Sequence, residues 1–459
     1  MKVADELGGT EANKEMIEPT TEPQKENILS DWVNDPENAK NWSTKKKLYN
    51  TAVPAVSHSS FGLAIYSPSH ESVKHSFQTS TVLSLLPFTL YVYGLAFGPA
   101  VSAPLSETFG RRFIYVFVTP IALLFILGAS FANNLAALAI CRLLAGITIS
   151  APLAVGAGTI MDMWTGVNTN RGVVLIMTIA FLGPALGELV GGWVAQYKNW
   201  QWSQWTTLFL GAAFWIFSTG AQETYAAPLM RRKAKKLGLP LPPSPVPAGL
   251  AGARFLVTVT LARPLYMLVP AIPLIFSTTY SFTPGESGLV LIGIAVGCIL
   301  GGIVLVLLDS HTMRRHVIKH KAALPPPERM LWGAMIGGPL MAGALFWFAW
   351  TARPGIHWIS SIVATGLFGF SNILVFVSTM LYLTNVYGAK YGASALAANG
   401  LLRYVVGGSF PLFTIPMYNN LGYPWASSLL GFIAIAFAFL PWIFYVFGSK
   451  VRQSSAYIQ

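Results

Sequence analysis

Three titratable or charged side chains stand inside long apolar runs: His58, Arg142 and Glu188. A carboxyl or imidazole so placed can gain and lose a proton as its access to water alternates, the chemistry that couples movement to a proton gradient. Glu188 is the only acid near the middle of any predicted span. Two readings stand for it: a proton carrier, or a neutral carboxyl hydrogen-bonded at a helix contact. His58 is the second proton candidate, or else a polar residue satisfied among Ser57, Ser59 and Ser60. Arg142 cannot usefully deprotonate. It would tune a nearby acid, bind oxygen atoms of a ligand, or simply cap carbonyls. Arg403, in another apolar run, either packs against carbonyls or faces a cavity. Cys141 and Cys298 also lie in apolar runs and define neither a disulfide framework nor a metal site. CxxC, HExxH, Walker and GxSxG motifs are absent, so enzyme chemistry is not expected.

The elements that position these residues follow from composition. The chain has 459 residues, net charge +12, 53% hydrophobic and 10% charged residues, with mean hydropathy +0.54. Ten of its 18 acids fall in the first 37 residues, leaving eight for all that follows. So few acids cannot cover a soluble domain of this size. A basic nucleic-acid-binding surface is excluded too, because the bases punctuate apolar runs instead of gathering on one exposed face. About 20 apolar residues cross a bilayer as helix. On that measure spans are predicted near 48–66, 81–102, 113–132, 135–161, 173–195 and 205–222, then near 265–282, 288–308, 330–351, 358–386, 393–418 and 425–447. Five regions result: an acidic disordered tail (1–44), six helices (45–222), a basic proline-rich central loop (223–263), six more helices (264–448) and a short tail (449–459). With both termini in the cytosol, the inner segments carry 21 Lys and Arg against three in the outer loops, leaving aside the distal tail. That asymmetry sets the orientation. It also demands a crossing at 265–282, short and carrying Pro270 and Pro273, since otherwise the basic loop 314–329 would lie outside.

Local motifs then carry a family resemblance. Gly98-Pro99, Ala103-Pro104-Leu105-Ser106-Glu107 and Gly110-Arg111-Arg112 resemble the loop signature of the major facilitator superfamily in its fungal form. Arg142-Leu143-Leu144-Ala145-Gly146 is similar to its RxxxG motif. Gly183-Pro184-Ala185-Leu186-Gly187-Glu188, continuing to Gly191-Gly192, resembles the antiporter motif of twelve-span drug:proton antiporters, with Glu188 where that motif has its second proline. Asn41-Trp42-Ser43, Glu223-Thr224-Tyr225, Pro327-Glu328-Arg329 and Ser409-Phe410-Pro411 match as well. The resemblance implies an all-α polytopic membrane protein of two six-helix bundles. The seventh helix is shorter than the family's. It further implies efflux of small, mostly apolar compounds, energised by a proton gradient and needing no cofactor. The implied partners are the bilayer, the substrate and protons, with no nucleic acid, in a monomer at the plasma membrane. A polyamine or nutrient carrier and a non-transporting paralogue are the alternatives.

On this footing Glu107, Gly110, Arg111 and Arg112 are candidates for a gating loop, with Glu107 or the arginines relaying charge to neighbouring helix ends. Gly183, Gly187 and Gly191 fall four apart on one helix face, and small faces let helices pack closely in lipid. Pro184 bends the helix there. Spans one, four, seven and ten line the cavity by resemblance, which makes Phe61, Tyr66, Thr148, Ser150, Asn372, Phe376 and Ser378 substrate candidates, together with Arg403. Trp200, Trp202 and Trp205 suggest an interfacial belt.

Overall fold

A computed structural model describes residues 32–57, 61–236, 265–319 and 326–453. The described chain is helical throughout. Eight helices are long and apolar enough to cross a membrane, among them Leu86–Phe109, Leu135–Met163, Asn168–Tyr197 and Pro284–Thr312. The first span is helical over Thr44–Ser57 and again over Phe61–Tyr66; His58 lies outside the described residues. The sixth runs over Gln201–Thr219.

Local chemistry ends these helices where the sequence changes character. Asn134 starts span four by accepting from the amide of Ala137 at 2.8 Å. Thr283 and Glu286 form a reciprocal capping box ahead of span eight. Gly110 stops span two with φ of 97°, a conformation that side-chain-bearing residues rarely adopt.

Each half is built around a close helix crossing. Spans two and four touch so tightly that a Cβ on Gly94 would lie 2.4 Å from the carbonyl oxygen of Leu143. In the second half a Cβ on Gly297 of span eight would lie 1.9 Å from that of Gly366 on span ten. Without water in the bilayer to drive association, such backbone proximity supplies the packing energy. The halves meet along two seams. Span two meets span eleven, where the hydroxyls of Tyr93 and Ser409 share a hydrogen bond at 2.8 Å. Span five meets span eight, with Asn170 donating to Asp309 at 3.3 Å at one end and Gly285 donating to Gln196 at 3.1 Å at the other.

Several boundaries differ from the sequence-based expectation. Span seven is the 16-residue helix Leu265–Tyr280. At 1.5 Å per residue that is about 24 Å, short of the roughly 30 Å hydrocarbon core. Its outer end is tied down by the Tyr280 hydroxyl donating to the carbonyl of Thr351 at 3.2 Å. Spans ten and eleven, expected as separate helices, form one unbroken helical stretch, Trp358–Leu421. The stretch still reverses, because Arg403 stands 4.8 Å from the ring of Phe376, whereas a straight helix would part them by roughly 40 Å.

The central loop contains an unforeseen helix, Ala226–Lys236. The expected disordered tail also ends sooner: residues 32–43 are packed. Lys233 of the loop helix pairs with Asp35, and Trp42 packs with Met163 at the end of span four. The Lys233 bond holds the Asp35 carboxyl below its ordinary range. Trp200 is no belt residue: it is 1% exposed, its ring 5.5 Å from that of Phe77.

Candidate functional site

The candidate residues fall into four places. The first is the cytosolic end of span two. Here Gly110 brings the chain over the Glu223 carboxylate, which accepts from the backbone amides of Arg111 at 2.9 Å and Arg112 at 3.1 Å, and from those of Thr224 and Tyr225. The Arg111 side chain turns inward. Its Nε donates to Asp162 at 3.1 Å, its Nη1 to Ser106 at 2.8 Å, and its guanidinium lies 4.7 Å from the ring centre of Tyr225. The helix ends of spans two, three and four and the start of the central loop are thereby tied by one arginine between two acids. The expected relay of Glu107 takes a different form. Glu107 forms no ion pair among the described residues, and Arg112 contributes its backbone while its side chain is exposed. Asp162 escaped the sequence reading because it sits at the end of an apolar run and no local motif marked it.

The second place is the interior of the first half. Arg142 is 0% exposed. It donates through Nη1 to the carbonyl of Gly62 at 2.9 Å and lies within 3.5 Å of the Gln204 side-chain oxygen. The rings of Tyr66 and Tyr91 stand 4.7 and 4.5 Å from its guanidinium. Tyr66 is held in place by donating to the carbonyl of Ser84 at 2.9 Å. A guanidinium between two ring faces is stabilised by the ring quadrupoles even without a carboxylate. Tyr66 is therefore part of the Arg142 cage. Ser150 faces Gly98 at the crossing of spans two and four, and both Ser150 and Thr148 give their hydroxyls to their own helix's carbonyls. The Phe61 side chain lies outside the described residues.

The third place is span five. Gly183, Pro184, Gly187 and Glu188 are all buried. The glycines that follow divide their work. A Cβ on Gly191 would meet the backbone of Ile65 in span one, within the same half, whereas one on Gly192 would meet the carbonyl of Pro284 in the other half. Glu188 is 0% exposed, and neither carboxylate oxygen closes a hydrogen bond of normal geometry. Its backbone faces Gly288, at the start of span eight. This carboxyl lies in the outer third of a 31-residue helix, not at its centre.

The fourth place is the seam between the halves. Phe181 of span five meets Phe376 of span ten edge to face, 4.8 Å between centroids. Arg403 of span eleven stands over Phe376 at 4.8 Å and Tyr404 at 4.3 Å. Asn372 lies one turn before Phe376 and is 3% exposed. Ser378 faces elsewhere, toward Gly333 of span nine. Of the cavity candidates, the fold brings Asn372, Phe376 and Arg403 together and disperses the rest. Among the described residues no His, Cys, Asp and Glu cluster could hold a metal.

Comparison with known proteins follows this geometry. Residues 53–411 match the Major Facilitator Superfamily. The MFS-type transporter traF of Penicillium crustosum is 33% identical over 93% of both chains. The polyamine transporter 4 of Saccharomyces cerevisiae is 32% identical over 93% of this chain and 73% of its own. The MFS-type efflux pump MFS2 of Trichophyton rubrum is 35% identical over 93% of this chain and 76% of its own. Among solved structures, the proton:xylose symporter XylE superposes with a TM-score of 0.66 at 14% identity, covering 88% of this chain and 97% of its own. The fold is thus that of two packed helical halves with a seam between them. The chain is a multi-pass membrane transporter, not an enzyme, and it belongs to the major facilitator superfamily.

Proposed function

We propose that the protein exports small hydrophobic compounds in exchange for protons, by alternating access between two six-helix halves. It would sit in the plasma membrane with both termini in the cytosol. The observation that carries this reading is Glu188, a fully buried carboxyl whose two oxygens are unmatched beside the contact of span five with span eight. A membrane carboxyl left without a partner is a proton site by default, because the protonated form needs no counter-charge. The Arg111 cluster would act as the cytosolic latch: it ties three helix ends together, and opening that side would have to pull Arg111 from Asp162. Spans five and eight touch at both ends, so the chain is drawn in a closed state from which either side could open.

The test uses the purified full chain in vesicles with an imposed pH gradient, following accumulation of rhodamine 6G. Glu188→Gln should abolish gradient-driven accumulation while leaving exchange of labelled for unlabelled dye intact. Unchanged gradient-driven accumulation in the variant would remove Glu188 from the mechanism. The polyamine reading draws on one relative's printed name. It fits less well, because a polycation needs carboxylates along its path and the two arginines of the membrane interior offer the opposite charge.

A further inference from the structure

Arg403 presents an unusual balance of charge. Its guanidinium rests on the rings of Phe376 and Tyr404, yet it makes no hydrogen bond or ion pair among the described residues, and its Nε is buried without an acceptor. A second unmatched donor lies beside it. Span ten gives Phe370 and Ile373 to span eight, and Ser371, Leu374 and Ser378 to span nine. Asn372 and Phe376, one turn apart, are left on the remaining face, the one that meets Phe181 and Arg403. The Nδ2 of Asn372 is buried there with no acceptor.

The chain itself supplies no anion to these donors. Of the eight acids beyond residue 37, Glu107, Asp162 and Glu223 belong to the cytosolic end of the first half, and Asp309 takes the amide of Asn170. Glu71 and Glu286 cap outer helices, and Glu328 lies beside Gly448 near the inner end of the last span. Glu188 stands two turns beyond Phe181, roughly 10 Å along span five. The masked stretches of the spans contain no Asp or Glu either.

Resting on the exporter reading above, we infer that the transported compounds are organic anions: Arg403 and Asn372 hold a carboxylate at the seam, and Phe376 and Phe181 pack its hydrophobic body. A guanidinium is planar, weakly hydrated and matched to a carboxylate by two parallel hydrogen bonds. Its ring contacts leave its edge free for such bonds. The substrate's charge supplies what the protein withholds, and an ammonium placed there would meet a like charge. Arg142 takes no part, because a carbonyl, an amide oxygen and two rings already enclose it.

The experiment measures equilibrium binding and vesicle transport of three probes of one shape, 2-naphthoate, 2-naphthamide and 2-naphthylmethylamine, on the full chain. Naphthoate should bind at least tenfold tighter than either of the others. Arg403→Gln should erase that preference while naphthamide binding stays within twofold. Arg403→Lys should restore part of it, and Asn372→Ala should cost naphthoate a few-fold. Equal binding of the three, or preference for the amine, overturns the inference. So does an Arg403→Gln protein that loses naphthamide as fully as naphthoate, which would make the arginine a packing element. If naphthamide is still moved by a proton gradient with no preference for the acid, the exporter reading stands and the anion inference alone fails. If none of the three is bound or moved, both fail.

Discussion

The cytosolic end of the first half and the seam between the halves each hold an arginine away from water, and they treat its charge differently. Arg111 has a carboxylate at 3.1 Å, a hydroxyl, a tyrosine ring and a second acid on its backbone. Arg403 has two rings and no anion. Arg142 stands between them, with rings and carbonyl-type oxygens but no carboxylate. The difference separates roles. A charge supplied with every partner is a structural tie that must be broken to move. A charge left short of partners is a place where something else binds.

The comparison can be broken by substitution, and the largest effect is expected at the latch. Asp162→Asn should lower unfolding stability by about 3 kcal/mol, the low end for breaking a buried pair, because Ser106 and Tyr225 still hold Arg111. Thermal unfolding in detergent measures it, and a loss as small as that of a surface pair would place Arg111 with Arg403 instead. Arg142→Lys should cost roughly 1–3 kcal/mol, the penalty of leaving buried acceptors unmatched, since an ammonium cannot lie flat between Tyr66 and Tyr91. The same change at Arg403 should move stability by less than about 0.5 kcal/mol while altering binding. Equal destabilisation by the two lysine variants would erase the distinction between cage and seam.

The smallest effect is expected at the docked tail. Asp35→Asn should cost roughly 0.5–1 kcal/mol, as a partly exposed pair does. The Asp35 carboxyl is held below its ordinary range by Lys233. Its contribution is therefore present above the unfolded carboxylate range and fades as pH falls through the lowered folded value. Proteolysis of residues 32–43 should accelerate on acidification in the native chain and show no such step in the variant. An unchanged pH dependence would mean that Trp42 packing alone holds the segment.

Much of the membrane architecture was legible because its signals are local. Apolar runs of span length marked the helices, and bases at their ends marked the sides, so even the short seventh span was required before it was seen. The docking of residues 32–43 was not legible. Its acidic, polar composition reads as solvated, and only the basic helix Ala226–Lys236, far away in sequence, gives it a partner. The candidate site was legible residue by residue but not as a set. Tyr66 and Asn372 are equally polar in equally apolar runs, yet one closes around Arg142 and the other is left facing the seam.

The sequence by itself determined that the chain spans a membrane, how many times, with which charged groups inside and of which family, because each of these follows from composition within a window of one helix. It also determined that almost no acids exist to balance the interior arginines. Which arginine is balanced was decided only by tertiary structure. Partners for Arg111 come from spans two and four and the central loop, those for Arg142 from spans one, two and six, and those for Arg403 from spans ten and eleven. A charge in low dielectric is governed by the few atoms that touch it, and those atoms are brought together by helix packing, which no local stretch of sequence encodes.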